Sequence, residues 1–562
     1  NGLTIDPGST DRDVARRALA KLPGVKAVYL DLVQTTDLYT STYLIDAPVV
    51  WNQLGGQTSA GAGVKVAFMD GGIHHAAPMF DGTGFSYPAG YPSGGLGLTA
   101  NNNGKIIASR AYFRSFDPPA PGDENPWPGE HGTPHGNHTS SIAAGNLVTD
   151  ATYGGTNLPP MSGVAPGAWL MSYRLFYASS LGDGSFHNAE GIAALEDIVK
   201  DGADVLNNSW GGGPGSVGGE FDALDTALIN AAKAGIFISM SAGNAGPGHG
   251  TTDHPSPEYI SVAASTTSGT YAAGKFNIIA PEPISPTLQA IPFAPAAFGA
   301  PLPVGEIITH SFVTAMSVNP ANFEGCNPWP ADTFKDKAAV IGRGDCEFGV
   351  KVLNAENAGA EFVVICNHAA GGDGLITMAP GVVGNQVTIP SIFIGHTAGL
   401  GVVQWYADHG TASVLELNTV AFQAGNVPDR IIAFSSRGPG VGNVLSPDIA
   451  APGINIMAQG YTPGATGEAR HLGYGQASGT SMSAPHVTGA AALLRGLHPD
   501  WSNAYIKSAL MSTAKYMDVY NYDDTPAQPL DRMKTTIQTI KRLRRGVILD
   551  PPSLSFGLVP TG

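Results

Sequence analysis

Residues 479–486 read GTSMSAPH, and Ser481 stands where this run of small residues opens an apolar stretch of helical character at 487–494. Unpaired backbone N–H groups and the positive end of the macrodipole at a helix start favour negative charge developing nearby. An acyl-transfer nucleophile belongs at such a place, although a lone Ser ahead of an apolar run ordinarily serves only as a helix cap. The company Ser481 keeps decides between the two. A serine hydroxyl is a weak nucleophile at neutral pH and needs an imidazole to take its proton. The imidazole in turn needs a carboxylate that fixes its tautomer and steadies its cation. Asp70 closes the apolar run VKVAFM at 64–69, and an acid at the carboxyl end of a buried strand commonly serves chemistry in an α/β fold. Residues 130–138, EHGTPHGNH, offer His131, His135 and His138.

The elements that must position these groups follow from the pattern. Short apolar runs at 64–69, 169–174, 204–208 and 236–241 alternate with helical stretches at 190–200 and 221–234, which predicts a parallel sheet covered on both faces. The rhythm breaks after about residue 270. Residues 280–303 are crowded with Pro and Ala, and short β-like runs then continue to about 422 with little helix beyond 350–358, which reads as an inserted, mostly β domain. The α/β pattern returns at 431–434 and runs through the Ser481 helix to about 514.

Composition narrows the function classes. A chain of 562 residues with 74 Gly, 43 Pro and 13% charged residues is loop-rich and folded, and long enough for several domains. The net charge of −16 disfavours nucleic acid as a partner, and no apolar stretch of about 18 or more residues is present to span a membrane. Cys326 and Cys346 lie close enough to close one loop, which leaves Cys366 as a buried apolar thiol.

Three segments in order, VAFMDGGI around Asp70, HGNHTSSIAAGN from His135 and GTSMSAPH around Ser481, resemble the catalytic blocks of subtilisin-like serine proteases. The resemblance covers about residues 15–520, and the Asp, His, Ser order is that of subtilisin itself. It implies that Ser481 attacks a peptide carbonyl, that His135 is general base and then acid, and that Asp70 orients His135. Only His135 has a second His three residues on and the small-residue run SSIAAG behind it, and Asn137 stands where the family usually has Thr, a departure that touches packing rather than chemistry. Within SAGNAGP at 241–247, Asn244 aligns with the asparagine of the oxyanion hole. NNSWGG at 207–212 resembles the segment that pairs with extended substrate, which carries Ser209, Trp210 and Gly211 over as substrate-binding positions. Its Gly-lined pocket, with no evident buried charge, favours apolar side chains. His74 and His75 read as loop residues at the rim of the site.

The implied fold is a three-layer α/β architecture with a parallel sheet. GRGDCEFGVKVLNAENAGAEFVVICN at 342–367 and IPSIFIG at 389–395 resemble the protease-associated domain inserted in large subtilases, in which a Cys326–Cys346 bridge fits an oxidising compartment. FSSRGP at 434–439 and PDIAAPG at 447–453 extend the likeness. The expected partition is 1–40 for the end of an inhibitory propeptide, 41–285 and 425–522 for the catalytic domain, and 286–424 for the insert. Residues 523–562 are expected to be a linker and the start of a β-sandwich. Maturation is expected near Thr40. The basic run RMKTTIQTIKRLRR at 532–545 replaces the Gly-rich turn and short helix usual in the family, as a local frame error or a recent replacement would. No cofactor is required. Calcium is common in the family, but no compact acidic loop identifies a site and no metal ligand is assigned.

The sequence thus points to a secreted serine endopeptidase made as a precursor, with protein or peptide substrates and its own propeptide as inhibitor. The sequons at Asn137 and Asn207 fall inside catalytic and substrate segments, where a glycan would obstruct function, and this points to a bacterial source. Two other readings stay open: a processing peptidase of narrow specificity, and a silent binding protein on the same scaffold.

Overall fold

The computed structural model describes residues 40–93, 99–181, 185–213, 222–254, 256–515, 519–523 and 525–527. The readings placed at 1–39 and 528–562, including the propeptide end, the basic run and the start of a β-sandwich, lie outside the described residues.

Six strands form the heart of the main sheet: β1 (Lys65–Asp70), β2 (Ile106–Ala111), β3 (Trp169–Arg174), β4 (Val205–Asn208), β5 (Phe237–Ser241) and β6 (Ile260–Ser265). Their spatial order is β2–β3–β1–β4–β5–β6, and every neighbouring pair is parallel. Because side chains alternate across a strand, a continuous apolar run can serve two faces at once. Val66, Phe68, Val205 and Phe237 join one core with Ala143, Val487, Ala490 and Leu494, contributed by the helices His135–Ala144 and Thr480–Leu497. Ala67, Met69, Leu206 and Ile238 join the other with Leu195, Ile198 and Leu228, from the helices Asn188–Lys200 and Ala223–Lys233. The result is a helix–sheet–helix sandwich of the expected α/β class. Its second outer helix begins where the Asp222 carboxylate accepts from the N–H groups of Leu224 and Asp225. Strand order reverses between β1 and β4, so the crevice outside their carboxyl ends is open to a ligand.

The insert is a closed barrel. Its strands β7 (Gly274–Ala280), β8 (Ile291–Pro295), β9 (Ile307–Thr314), β10 (Lys337–Gly342), β11 (Ala360–Cys366), β12 (Ser391–Ile394) and β13 (Val414–Asn418) close in the order β7–β8–β12–β11–β10–β9–β13. The chain enters and leaves through a neck in which Gly269–Ala272 pairs antiparallel with Phe422–Gly425. The barrel therefore opens at Gly274, ahead of both the expected boundary at 286 and the Pro- and Ala-rich stretch that starts at 280. It also holds a helix that the sequence reading passed over, His396–His409, whose interior glycines weaken the helical signal. Gly399 is there because a Cβ at that position would lie 2.5 Å from the Cβ of Cys366. Cys366 is buried without a disulfide, and burial pushes its thiol up to about 12. Cys326 and Cys346 are bridged, with Cα atoms 5.7 Å apart.

Asn455 ties the loop at 375–377 of the insert to the catalytic layer. Asn455 donates from Nδ2 to the Leu375 carbonyl at 2.7 Å and accepts from the Thr377 N–H at 3.2 Å. Its own N–H donates to Ser478 Oγ at 2.9 Å, three positions before Ser481.

Replacing Gly399 by Ala tests the packing. Helix propensity alone favours the change by about 1 kcal/mol. Overpacking against Cys366 costs about 1–3 kcal/mol and should prevail, so the denaturant midpoint of the variant is expected to fall. Equilibrium unfolding in urea measures it.

Candidate active site

Asp70 ends β1 with only 1% of its surface exposed, and a carboxylate so buried must be met by donors. It accepts from the Gly71 N–H at 2.6 Å and from Thr139 Oγ1 at 3.0 Å. His135 Nδ1 lies 2.8 Å from Oδ1 and 3.0 Å from Oδ2. Close backbone approach makes this meeting geometrically available. A Cβ on Gly136 would stand 2.3 Å from the Gly72 carbonyl, and one on Gly71 would stand 2.8 Å from Thr133 Cγ2, so only glycines let the helix start rest on the strand end. Burial pulls the His135 imidazole down, but the charge of Asp70 and the hydrogen bond to it win, and the net shift is upward from 6.5.

Ser481 occupies the first turn of its helix. Pro485, one turn on, has no N–H with which to meet the Ser481 carbonyl. Ser209 Oγ supplies the missing donor at 2.8 Å, and Asn207 Nδ2 in turn donates to Ser209 Oγ at 3.0 Å. The Ser481 hydroxyl returns the contact by donating to the Ser209 carbonyl at 3.1 Å. The serine is therefore hydrogen-bonded to Ser209 and not to His135, which differs from the base–nucleophile bond implied by the sequence. Asn244 reaches the same turn. Its Oδ1 accepts from the Thr480 N–H at 2.9 Å and from Thr480 Oγ1 at 3.0 Å, which turns the amide N–H₂ away from Thr480. Asn244 is exposed, and the Ser481 N–H has no intrahelical partner at this end of the helix.

The other histidines are engaged elsewhere. His131 is exposed; His138 is buried against the Gly475 carbonyl, and burial pulls it down to about 3. His74 is a packed residue rather than a rim one. It is 3% exposed, its Nε2 lies 2.8 Å from Glu468 Oε1, and its ring stacks on His75. Asn137 fills its place without loss, accepting from the His74 N–H at 2.8 Å and donating to the His471 carbonyl at 3.3 Å. Among the described residues no group of three His, Cys, Asp or Glu could hold a metal ion.

The predicted substrate segment follows β4 at the open edge of this site. Trp210 turns into a cavity of about 200 Å³ with Phe176, Phe186, Leu224 and His254. Gly211 is exposed, and behind it lies a group that the sequence reading missed, Asp253. Asp253 is 3% exposed, accepts from the Gly213 N–H at 3.3 Å, and donates its own N–H to the Ala242 carbonyl at 3.2 Å. The expectation of a wall without buried charge is thus overturned. In sequence Asp253 sits in a Gly- and Thr-rich loop, where an acid reads as an ordinary turn residue. Its one signal is that it shares a loop with Asn244.

The profile described as "Subtilase family" matches residues 61–536. Subtilisin-like protease SBT1.4 of Arabidopsis thaliana is 30% identical over 522 residues, which take in 89% of this chain and 63% of that protein. Subtilisin-like protease SBT1.6 of the same plant is 32% identical over 397 residues, 69% of this chain and 49% of that protein. The chain thus spans between about half and less than two thirds of these relatives. Their plant source gives no support to the bacterial origin expected from the sequons. Among solved structures, the psychrophilic subtilisin-like protease Apa1 from the Antarctic psychrotroph Pseudoalteromonas sp. AS-11 aligns with a TM-score of 0.43 and 16% identity, covering 91% of this chain and 98% of that one.

The Asp70–His135 pair predicts a titration. With both raising influences removed and burial left in place, His135 in Asp70→Asn should titrate below its wild-type value, which itself lies above 6.5. NMR of the imidazole protons across pH 4–9 reads both, and an unmoved His135 in the variant would show that Asp70 does not control it.

Proposed function

The chain belongs to the subtilase family, and from that premise we propose that it is a secreted serine endopeptidase working through Ser481, His135 and Asp70. The observation that supports this most is the imidazole of His135 held 2.8 Å from the buried Asp70 carboxylate, at the strand ends that also lead to Ser481 through Ser209. The paired carboxylate keeps the Nδ1–H in place and leaves Nε2 as the basic atom.

In this reading the Ser481 hydroxyl leaves the Ser209 carbonyl and turns to His135, which takes its proton as Oγ bonds to the substrate carbonyl carbon. Negative charge on the carbonyl oxygen is met by Asn244 Nδ2 and the Ser481 N–H, with the helix dipole behind them. His135 then gives the proton to the departing amine as the C–N bond breaks. Water enters, passes a proton to His135 as its oxygen bonds to the acyl carbon, and His135 returns that proton to Ser481 Oγ as the ester C–O bond breaks, which frees the acid and restores Ser481. The substrate backbone lies extended along Ser209–Gly211, so affinity comes from main-chain hydrogen bonds that any sequence can make. Asp70 stays ionised throughout and stabilises the imidazolium.

The barrel is read as a protease-associated domain that shapes access to the cleft, and residues 1–40 as the end of an inhibitory propeptide released on maturation. The Cys326–Cys346 bridge supports an extracellular setting, and no helix among the described residues is long and apolar enough to cross a membrane.

A fluorophosphonate probe tests the assignment. Label is expected on Ser481, with both label and casein digestion lost in Ser481→Ala. Failure to label after removal of residues 1–40 would leave a silent scaffold as the better reading. Asn244→Ala is expected to retain the label site while kcat falls by about a hundredfold to a thousandfold, the loss seen when this donor is removed from subtilisin. Steady-state kinetics on a peptide substrate measures it.

A further inference from the structure

We propose that Asp253 makes this cleft selective for Lys or Arg at the substrate residue whose carbonyl Ser481 attacks. The inference rests on the peptidase reading above and deepens it. Two backbone segments flank the serine and are tied to its turn: Ser209–Gly211 through the reciprocal Ser209–Ser481 bonds, and Ala242–Asn244 through the Asn244 bonds to Thr480. A carbonyl carbon at Ser481 Oγ with its oxygen toward Asn244 Nδ2 must send the side chain of its own residue between these two segments.

The carboxylate of Asp253 lies between the same two segments. A Cβ on Gly211 would stand 2.4 Å from Asp253 Oδ2, and a Cβ on Gly243 would stand 3.1 Å from that same oxygen. Both walls are therefore glycine where they face it, and the space a side chain would take is held at Gly211 by the Asp253 oxygen and at Gly243 by Ser436 Oγ and that same oxygen. The Gly213 N–H at 3.3 Å and the Asp253 N–H to the Ala242 carbonyl hold the residue at this spot.

A carboxylate of 3% exposure sits in a medium where Coulomb interactions are much stronger than in water. A Lys or Arg side chain entering between the glycines lays its methylene stem along their backbone and brings its charge to Asp253. A Glu or Asp brings a second negative charge beside the carboxylate, and a Phe or Leu brings no charge to it. The described acids nearby are engaged elsewhere or add to the negative sign. Asp225 is occupied by His254 at 2.8 Å, Asp222 caps the helix beyond, and the chain as a whole carries −16.

The test uses the full chain and four tetrapeptide p-nitroanilides that differ only in the residue before the scissile bond: Lys, Arg, Phe or Glu. The wild-type protein should show kcat/KM at least about tenfold higher for Lys and Arg than for Phe, and least for Glu. Asp253→Asn keeps the shape and removes the charge. Its kcat/KM for Lys and Arg should fall by on the order of a hundredfold, while that for Phe stays within a few fold and fluorophosphonate labelling of Ser481 is retained. A wild-type enzyme that labels and cleaves but prefers Phe overturns the proposal and leaves the peptidase reading standing. So does an Asp253→Asn variant with an unchanged Lys-to-Phe ratio. Absence of both label and cleavage of every peptide removes the peptidase reading and the proposal with it. The wild-type ratio is informative even if the variant fails to fold.

Discussion

A negative charge buried at the end of a parallel strand is the constraint around which this molecule is arranged. Leaving such a carboxylate unpaired costs several kcal/mol, so the chain must bring donors to Asp70 from wherever it can. One comes from the next residue, Gly71, and two from a helix that starts far along the sequence, Thr139 and His135. That helix can approach because Gly136 presents bare backbone to Gly71 and Gly72, and Gly71 presents bare backbone to Thr133 at the helix start. The same arrangement that satisfies the charge also orients the imidazole, so stability and the proposed chemistry draw on the same contacts.

The serine is placed by a different device. Proline in the second turn of its helix removes an N–H and leaves the Ser481 carbonyl without its usual donor, and Ser209 from the neighbouring strand end takes that role. Asn244 satisfies Thr480 with its oxygen and keeps its N–H₂ group for the cleft. Each group that faces the substrate is thus fixed by a bond that uses its other end. In the resting molecule Ser481 donates to Ser209, and the proposed reaction starts when that bond is exchanged for one to His135.

Much of this was legible in the residues. The apolar runs around Val66–Met69 and Phe237–Met240 announced strands buried on both faces, and the sheet has them in parallel register. Small residues around Asp70, His135 and Ser481 marked where backbone approaches backbone. The misses have physical reasons. The helix His396–His409 hid behind Gly399, demanded by Cys366 at the end of a barrel strand, and Gly401, which faces Leu288. Asp253 hid because burial is a property of the fold, and an acid in a Gly- and Thr-rich loop has the composition of a solvent-facing turn. The serine's bond to Ser209 depends on a rotamer, which residue types do not specify.

The bridge made by Asn455 bears on how such a chain can change over evolutionary time. The barrel enters and leaves by a narrow two-stranded neck, the topology of a cassette that recombination could lift out or exchange. Asn455 argues against free exchange. Its carboxamide is matched to the backbone at Leu375 and Thr377, and its own backbone is pinned to Ser478 on the approach to the serine. A foreign insert would have to reproduce that small patch of loop geometry or leave a polar group orphaned beside the nucleophile turn. The barrel and its host are therefore coupled through the backbone course of an otherwise peripheral loop, whatever side chains that loop carries.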